Sequence, residues 1–136
     1  MSLLLLDTNI ILEFLFAQER KEECRKLLER VASGAEEAIL LALTLYSIEI
    51  TMTREKNDDA LFQFLTALKK WEGLIIYHTT LDDDLAALRA RKRFNIDFDD
   101  ALHYAVAKHH ECTLVSFDHD FDRTDIKRAE PKSLLA

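Results

Sequence analysis

Four acidic residues stand where carboxylates serve no packing purpose. Asp7 closes the apolar run Leu3-Leu4-Leu5-Leu6, and Glu49 lies inside the stripe Leu41, Leu45, Ile48, Met52. Asp100 opens the segment Asp100-Ala101-Leu102-His103-Tyr104-Ala105-Val106-Ala107, and Asp118 follows the run Thr113-Leu114-Val115-Ser116 by two positions. A carboxylate facing a core costs several kcal/mol unless it is paired or bound to metal. Converged in space, the four acids would need a divalent cation to neutralise them. A divalent cation held among acids suits phosphodiester chemistry.

Each acid also has a plainer use. Asp7 has the residue type of a helix N-cap. Glu49 fits the rim of a wide helix face, or a pair with a core-facing Arg. One of Asp97, Asp99 and Asp100 serves as a helix cap that complements the dipole, but three acids in four positions exceed what capping requires. With Asp97 as the cap, Asp100 faces the sheet end and Asp99 is solvated. Asp118 and Asp120 fit an Asx-rich turn. The five histidines, His103 and His119 included, receive no role. Arg89, Arg91, Lys92 and Arg93 form either a solvated helix end or a phosphate-contacting rim beside the acids.

The elements that must position these residues alternate between strand and helix. Residues 3–6 read as a buried strand and residues 9–16 as a short helix. Residues 19–31 form a charged helix with Cys24, Leu27, Leu28 and Val31 on one face, stopped near Gly34. Residues 38–43 are apolar, with Thr44 capping a helix through residue 54. Asp58 or Asp59 caps the next helix, which runs to residue 71 on Leu61, Phe64, Leu65 and Leu68. Residues 74–77 and 113–116 are strands, 81–93 and 97–110 helices, and 126–129 a short last strand. Strands that are apolar on both faces and alternate with helices predict an α/β protein, its central parallel sheet covered on both sides. In such sheets ligands bind beyond the carboxyl ends of the strands, which is where Asp7 and Asp118 stand.

At 136 residues the chain is expected to form one domain spanning 1–136. Its 49% hydrophobic and 32% charged residues fit a water-soluble globular protein. Two glycines and one proline exclude collagen-like and Gly-rich phosphate-loop readings. The net charge of −7 opposes a nucleic-acid ligand at first sight. Removing the four candidate acids from the 25 leaves 21 against 18 Lys and Arg, a balance of −3, so the charge does not exclude one. Cys24 and Cys112 lack metal-ligand spacing and read as free thiols in a reducing compartment. The leucine run is too short for a signal peptide or a membrane span, so a cytoplasmic location is expected.

The order Asp7-Thr8-Asn9, Glu49 within Thr44-Leu45-Tyr46-Ser47-Ile48-Glu49, the Asp100 segment, and Ser116-Phe117-Asp118-His119-Asp120-Phe121 resembles the PIN-domain nucleases. Nearly the whole chain is covered, and the short form is most similar to the VapC-like ribonuclease toxins of type II toxin–antitoxin pairs. The resemblance implies a three-layer α/β/α sandwich around a parallel sheet of about four to five strands. It also implies Mg²⁺ or Mn²⁺ dependence, endonucleolytic RNA cleavage, a homodimer and inhibition by a small antitoxin. The family's acidic positions fall on Asp7, Glu49, Asp100 and Asp118, of which Asp7, Asp100 and Asp118 hold metal. Asp120 is a further candidate, and Thr8 and Ser116 occupy small-hydroxyl positions near the site. Ser116 stands where Thr is frequent. Three alternatives remain: a non-catalytic PIN-like RNA-binding or scaffold module, a housekeeping RNA-processing nuclease, and a small-phosphate hydrolase. Asp-Thr-Asn after a strand also resembles the haloacid-dehalogenase phosphatases. Those require a second Asp where this chain has Asn9, which weighs against the hydrolase.

Overall fold

The computed structural model describes residues 3–16 and 18–135. Its strands are β1 (Leu4–Leu6), β2 (Ala38–Leu41), β3 (Leu74–Tyr77) and β4 (Thr113–Val115). The α-helices are α1 (Thr8–Leu15), α2 (Lys21–Ala32), α3 (Ala42–Arg54), α4 (Asp58–Leu68), α5 (Leu81–Phe94) and α6 (Phe98–His109). Two 3₁₀ turns, His119–Arg123 and Pro131–Leu134, follow β4. The strands pair in parallel in the order β3-β2-β1-β4.

Side chains that alternate along the strands divide the interior between the two faces of the sheet. Leu4, Leu6, Ala38 and Leu40 join Ile10, Ile11, Leu27, Leu28, Ile48, Phe64 and Leu68 on one face. Leu5, Ile39 and Leu41 join Ala87, Leu102, Val106, Leu114 and Phe121 on the other. The result is the expected α/β/α sandwich, with four strands. The segment anticipated as a last strand contributes one parallel bridge, Val115 to Ala129. No helix among the described residues is long and apolar enough to cross a membrane.

Three local expectations change. Thr44 does not cap α3, which starts at Ala42 directly from the extended Leu41. Thr44 is instead buried within the first turn, where its hydroxyl meets that of Thr8 and the ring of His103. Helix α4 ends at Leu68 and is preceded by Asn57 as N-cap residue, so Asp58 and Asp59 fall in its first turn. Strand β3 lies at the sheet edge with Ile75 and Ile76 exposed, rather than buried on both faces.

Backbone punctuation fixes the helix ends. Gly34 follows α2 at φ +83°, a conformation that glycine adopts without a Cβ penalty. Asn95, at φ 55°, ends α5 in the same region. Gly73 serves a different need, because a Cβ there would lie 2.0 Å from the Glu36 carbonyl oxygen and 2.8 Å from that of Val31. Its backbone also bonds to Val31 and Ala38, joining the end of α2 to the start of β2. Gly73→Ala is therefore expected to destabilise the protein by about 3 kcal/mol, the upper range for overpacking against atoms that cannot yield. Urea denaturation would read this as a lower midpoint at unchanged slope.

Candidate metal centre

The carboxyl ends of β1 and β4 lie side by side, since Leu6 pairs with Val115 and the Asp7 amide donates to the Val115 carbonyl at 3.0 Å. Both strands break there, and each break delivers an acid. Asp7 leaves β1 in extended conformation and caps α1, its Oδ1 accepting from the Thr8 amide at 2.8 Å. Ser116 leaves β4 fully buried. Its hydroxyl donates to Asp7 Oδ2 at 2.6 Å and accepts the Asp118 amide at 2.9 Å. One hydroxyl thus locks the first acid to the loop that carries the last, using both its donor and its acceptor capacity. Asp118 Oδ1 then accepts the Asp120 amide at 2.8 Å, which starts the 3₁₀ turn.

Helix α6 brings the third segment. Asp97 is its N-cap residue but makes no side-chain capping bond, and Asp99 and Asp100 lie in the first turn. Asp100 is buried, and one carboxylate oxygen each from Asp100, Asp118 and Asp120 lie within 4.8 Å of one another. At an effective dielectric of about 20, each ionised pair at that separation repels by roughly 3 kcal/mol. Burial, followed by the negative charges of Asp118, Asp7 and Asp99, pushes the Asp100 pKa up to about 7. Without a cation the Asp100 carboxyl is only partly ionised at neutral pH. Three convergent carboxylates with a proton to displace form a donor set that fits a hard divalent ion.

The anticipated residues are distributed as follows. Asp100 and Asp118 converge with Asp120, which supplies the third carboxylate of the group, and Asp7 adjoins them through Ser116. Thr8 turns its hydroxyl to Thr44 at 3.1 Å. Glu49 is half-buried on α3 and is not one of the three clustered acids. Of the basic segment, Arg91 Nε donates to the Ile96 carbonyl at 3.1 Å. Arg93 lies over the Phe94 ring and 3.8 Å from Asp125. Arg89 and Lys92 are exposed at the end of α5. Arg123, which motif reading passed over, connects that end of α5 to the cluster. It donates to the Asn95 carbonyl at 2.8 Å and to Asp120 Oδ1 at 3.2 Å.

His103 received no role from the sequence. It is fully buried on α6, with Nδ1 2.9 Å from the Asp99 carbonyl and Nε2 3.4 Å from the Thr44 hydroxyl. The available signal was a histidine within the otherwise apolar stretch 101–107 of α6, a position that demands polar partners.

A PIN domain family model matches residues 4–127, and the chain belongs to that family. No curated protein sequence gives a significant match. Among solved structures, VapC20 of Mycobacterium tuberculosis, a sarcin–ricin loop cleaving toxin, is 18% identical with a TM-score of 0.75. That alignment covers 94% of this chain and 99% of the other. FitAcB of Neisseria gonorrhoeae is 22% identical with a TM-score of 0.71, over 95% and 98% of the two chains. VapBC2 of Rickettsia felis, bound to a promoter DNA fragment, is 18% identical with a TM-score of 0.71, over 94% and 98%. The fold is that of a VapC-like PIN-domain protein.

The Asp100 shift has a sign that can be checked. Its ordinary pKa is 3.8 and its folded value about 7, so between those values the folded state binds more protons than the unfolded one. Stability of the metal-free protein must then fall as pH rises from about 4 to about 7 through this group. Asp100→Asn is expected to raise the metal-free melting temperature at pH 8 by a few degrees, with the difference vanishing near pH 4. Scanning calorimetry in EDTA at both pH values decides it, and an Asn variant less stable at pH 8 would contradict the crowding of charge.

Proposed function

We propose that this protein is a metal-dependent endoribonuclease that cleaves RNA phosphodiester bonds, acting as the toxin of a toxin–antitoxin pair. The observation that carries this reading is the convergence of Asp100, Asp118 and Asp120 carboxylates beside Asp7 at the carboxyl edge of a parallel sheet. Family membership and the toxin neighbours support the same reading. Asp7, Asp100 and Asp118 are the proposed metal-holding groups, and Asp120 is a fourth. Bound there, Mg²⁺ or Mn²⁺ would polarise the phosphate and acidify a water molecule.

The chain's own groups do the remaining work. The Asp7 carboxylate is held by the Ser116 hydroxyl and that of Asp118 by the Asp120 amide before substrate arrives, so orienting them adds no reorganisation to the reaction. Asp100 gives up its proton on loading, which makes metal affinity increase with pH up to about 7. Glu49 is assigned to orienting the attacking water. Arg89 and Lys92 are the proposed phosphate contacts, because Arg91 and Arg93 already have protein partners. Neither thiol takes part: Cys24 is buried and its pKa is pushed up to about 12, chiefly by that burial.

Two partners belong to the reading. An antitoxin segment bearing Arg suits the cluster, since a guanidinium fork binds carboxylates bidentately. A second copy of the chain suits the large apolar side chains exposed on α3 (Leu43, Tyr46, Ile50) and α5 (Leu81, Leu85, Leu88).

Asp7→Asn, Asp100→Asn and Asp118→Asn are each expected to lower RNA cleavage by about 10²-fold or more, the scale of a lost electrostatic contact in a reaction centre. Asp58→Asn, exposed at the start of α4, should cleave like the parent. Single-stranded RNA with Mn²⁺, run beside an EDTA control, is the assay. Cleavage that persists in EDTA, or survives all three substitutions, would remove the metal-nuclease reading. Replacing Arg89 and Lys92 together with Ala should weaken RNA binding and reduce its salt slope by roughly 0.7 for each lost phosphate contact. A titration of binding against salt concentration that gives an unchanged slope would remove these two residues from the interface.

A further inference from the structure

Histidine is a costly way to fill a fully buried helix position that leucine would fill as well, unless both ring nitrogens find partners. The two partners of His103 are informative because of what adjoins them. Nδ1 lies 2.9 Å from the carbonyl oxygen of Asp99, the residue that precedes Asp100, and 3.4 Å from an Asp99 carboxylate oxygen. Nε2 faces the Thr44 hydroxyl at 3.4 Å and Asp7 Oδ1 at 3.8 Å. The Thr44 hydroxyl in turn meets that of Thr8, the residue after Asp7, at 3.1 Å. Thr44 is 1% exposed and His103 fully buried, so water does not compete at the contact between them. The imidazole therefore spans the gap between the two backbone segments that present Asp7 and Asp100, and draws in the first turn of α3.

We propose that His103 is a positioning residue that fixes the Asp7 carboxylate relative to Asp100 through the Thr44 and Thr8 hydroxyls, setting the geometry in which the acids take a divalent cation. The proposal rests on the metal-dependent reading of the site. It does not depend on the charge of the ring. The Asp99 carbonyl accepts from Nδ1 in either state, and the Thr44 hydroxyl donates to a bare Nε2 or accepts from a protonated one. Outer contacts of this kind orient ligands, and their loss typically reduces metal affinity by about 10- to 100-fold.

Mn²⁺ titration calorimetry, with a melting temperature for each variant, tests the proposal. His103→Gln carries its amide at the distance of Nε2 and should retain Mn²⁺ affinity close to the parent's. His103→Asn carries its amide at the distance of Nδ1, loses the Thr44 and Asp7 end, and should bind about 10-fold more weakly or worse. Thr44→Val should show the same loss, and Thr44→Ser should restore binding. If His103→Asn does not fold, the Val and Ser variants at position 44 decide by the same criterion. Parent-like Mn²⁺ affinity in His103→Asn or in Thr44→Val would overturn the proposal. So would equal losses in Gln and Asn that follow the melting temperature, the behaviour of an ordinary core residue. A parent protein that binds no Mn²⁺ would overturn the metal reading itself, a result distinct from either.

Discussion

Carboxylates that repel one another are held together at the end of the sheet, and most local features around them follow from that constraint. Burial, and then the charges of Asp118 and Asp7, oppose ionisation of Asp100, whose pKa is pushed up to about 7. The N-termini of α1 and α6 both open at the cluster, with Asp7 and Asp97 as their N-cap residues, and the positive ends of their dipoles favour anions there. Cations are tied in from outside. Arg123 pairs with Asp120, and Arg128, largely buried, donates to the Ser116 carbonyl while pairing with Asp122 and Glu130. These arginines anchor the loop after β4.

The sheet makes such crowding sustainable. Parallel strands buried by two apolar layers are rigid platforms, and their carboxyl ends deliver side chains at fixed separations. Ser116 links two of these ends with one hydroxyl, and His103 extends the bracing backwards between α6 and α3. A polar network in a low-dielectric interior stabilises only when each member is satisfied. Here the hydroxyls of Thr8, Thr44 and Ser116 and both nitrogens of His103 have partners.

Motif order and strand–helix alternation carried most of this architecture. The apolar runs at 3–6, 38–43 and 113–116 were legible because buried parallel strands have near-continuous hydrophobic sequence. Asp7, Asp100 and Asp118 stood out as acids at element ends. Asp120 was harder to place, because an Asx-rich turn and a carboxylate cluster share one composition, and only the turn of 3₁₀ helix distinguishes them. Thr44 misled for a related reason. Threonine is a preferred cap residue, but its hydroxyl is drawn inward by Thr8 and His103, partners 36 and 59 residues away that no local pattern reveals. The edge position of β3 was equally hidden, since strand order is a property of the whole sheet.

The strand order β3-β2-β1-β4 places the first strand beside the last, and Ser116 and Asp7 are 109 residues apart in sequence. During synthesis, therefore, the N-terminal part of the chain can build β1, β2 and the layer formed by α1 to α4 while the acidic centre has no second wall. Contacts of such long sequence separation form late, because the closure entropy of the intervening chain must be met first. A ribosome-bound chain or a truncated fragment would carry Asp7 without Asp118, and hence no assembled centre. Under the proposed nuclease reading, this topology delays competence until the chain has been made through Asp118.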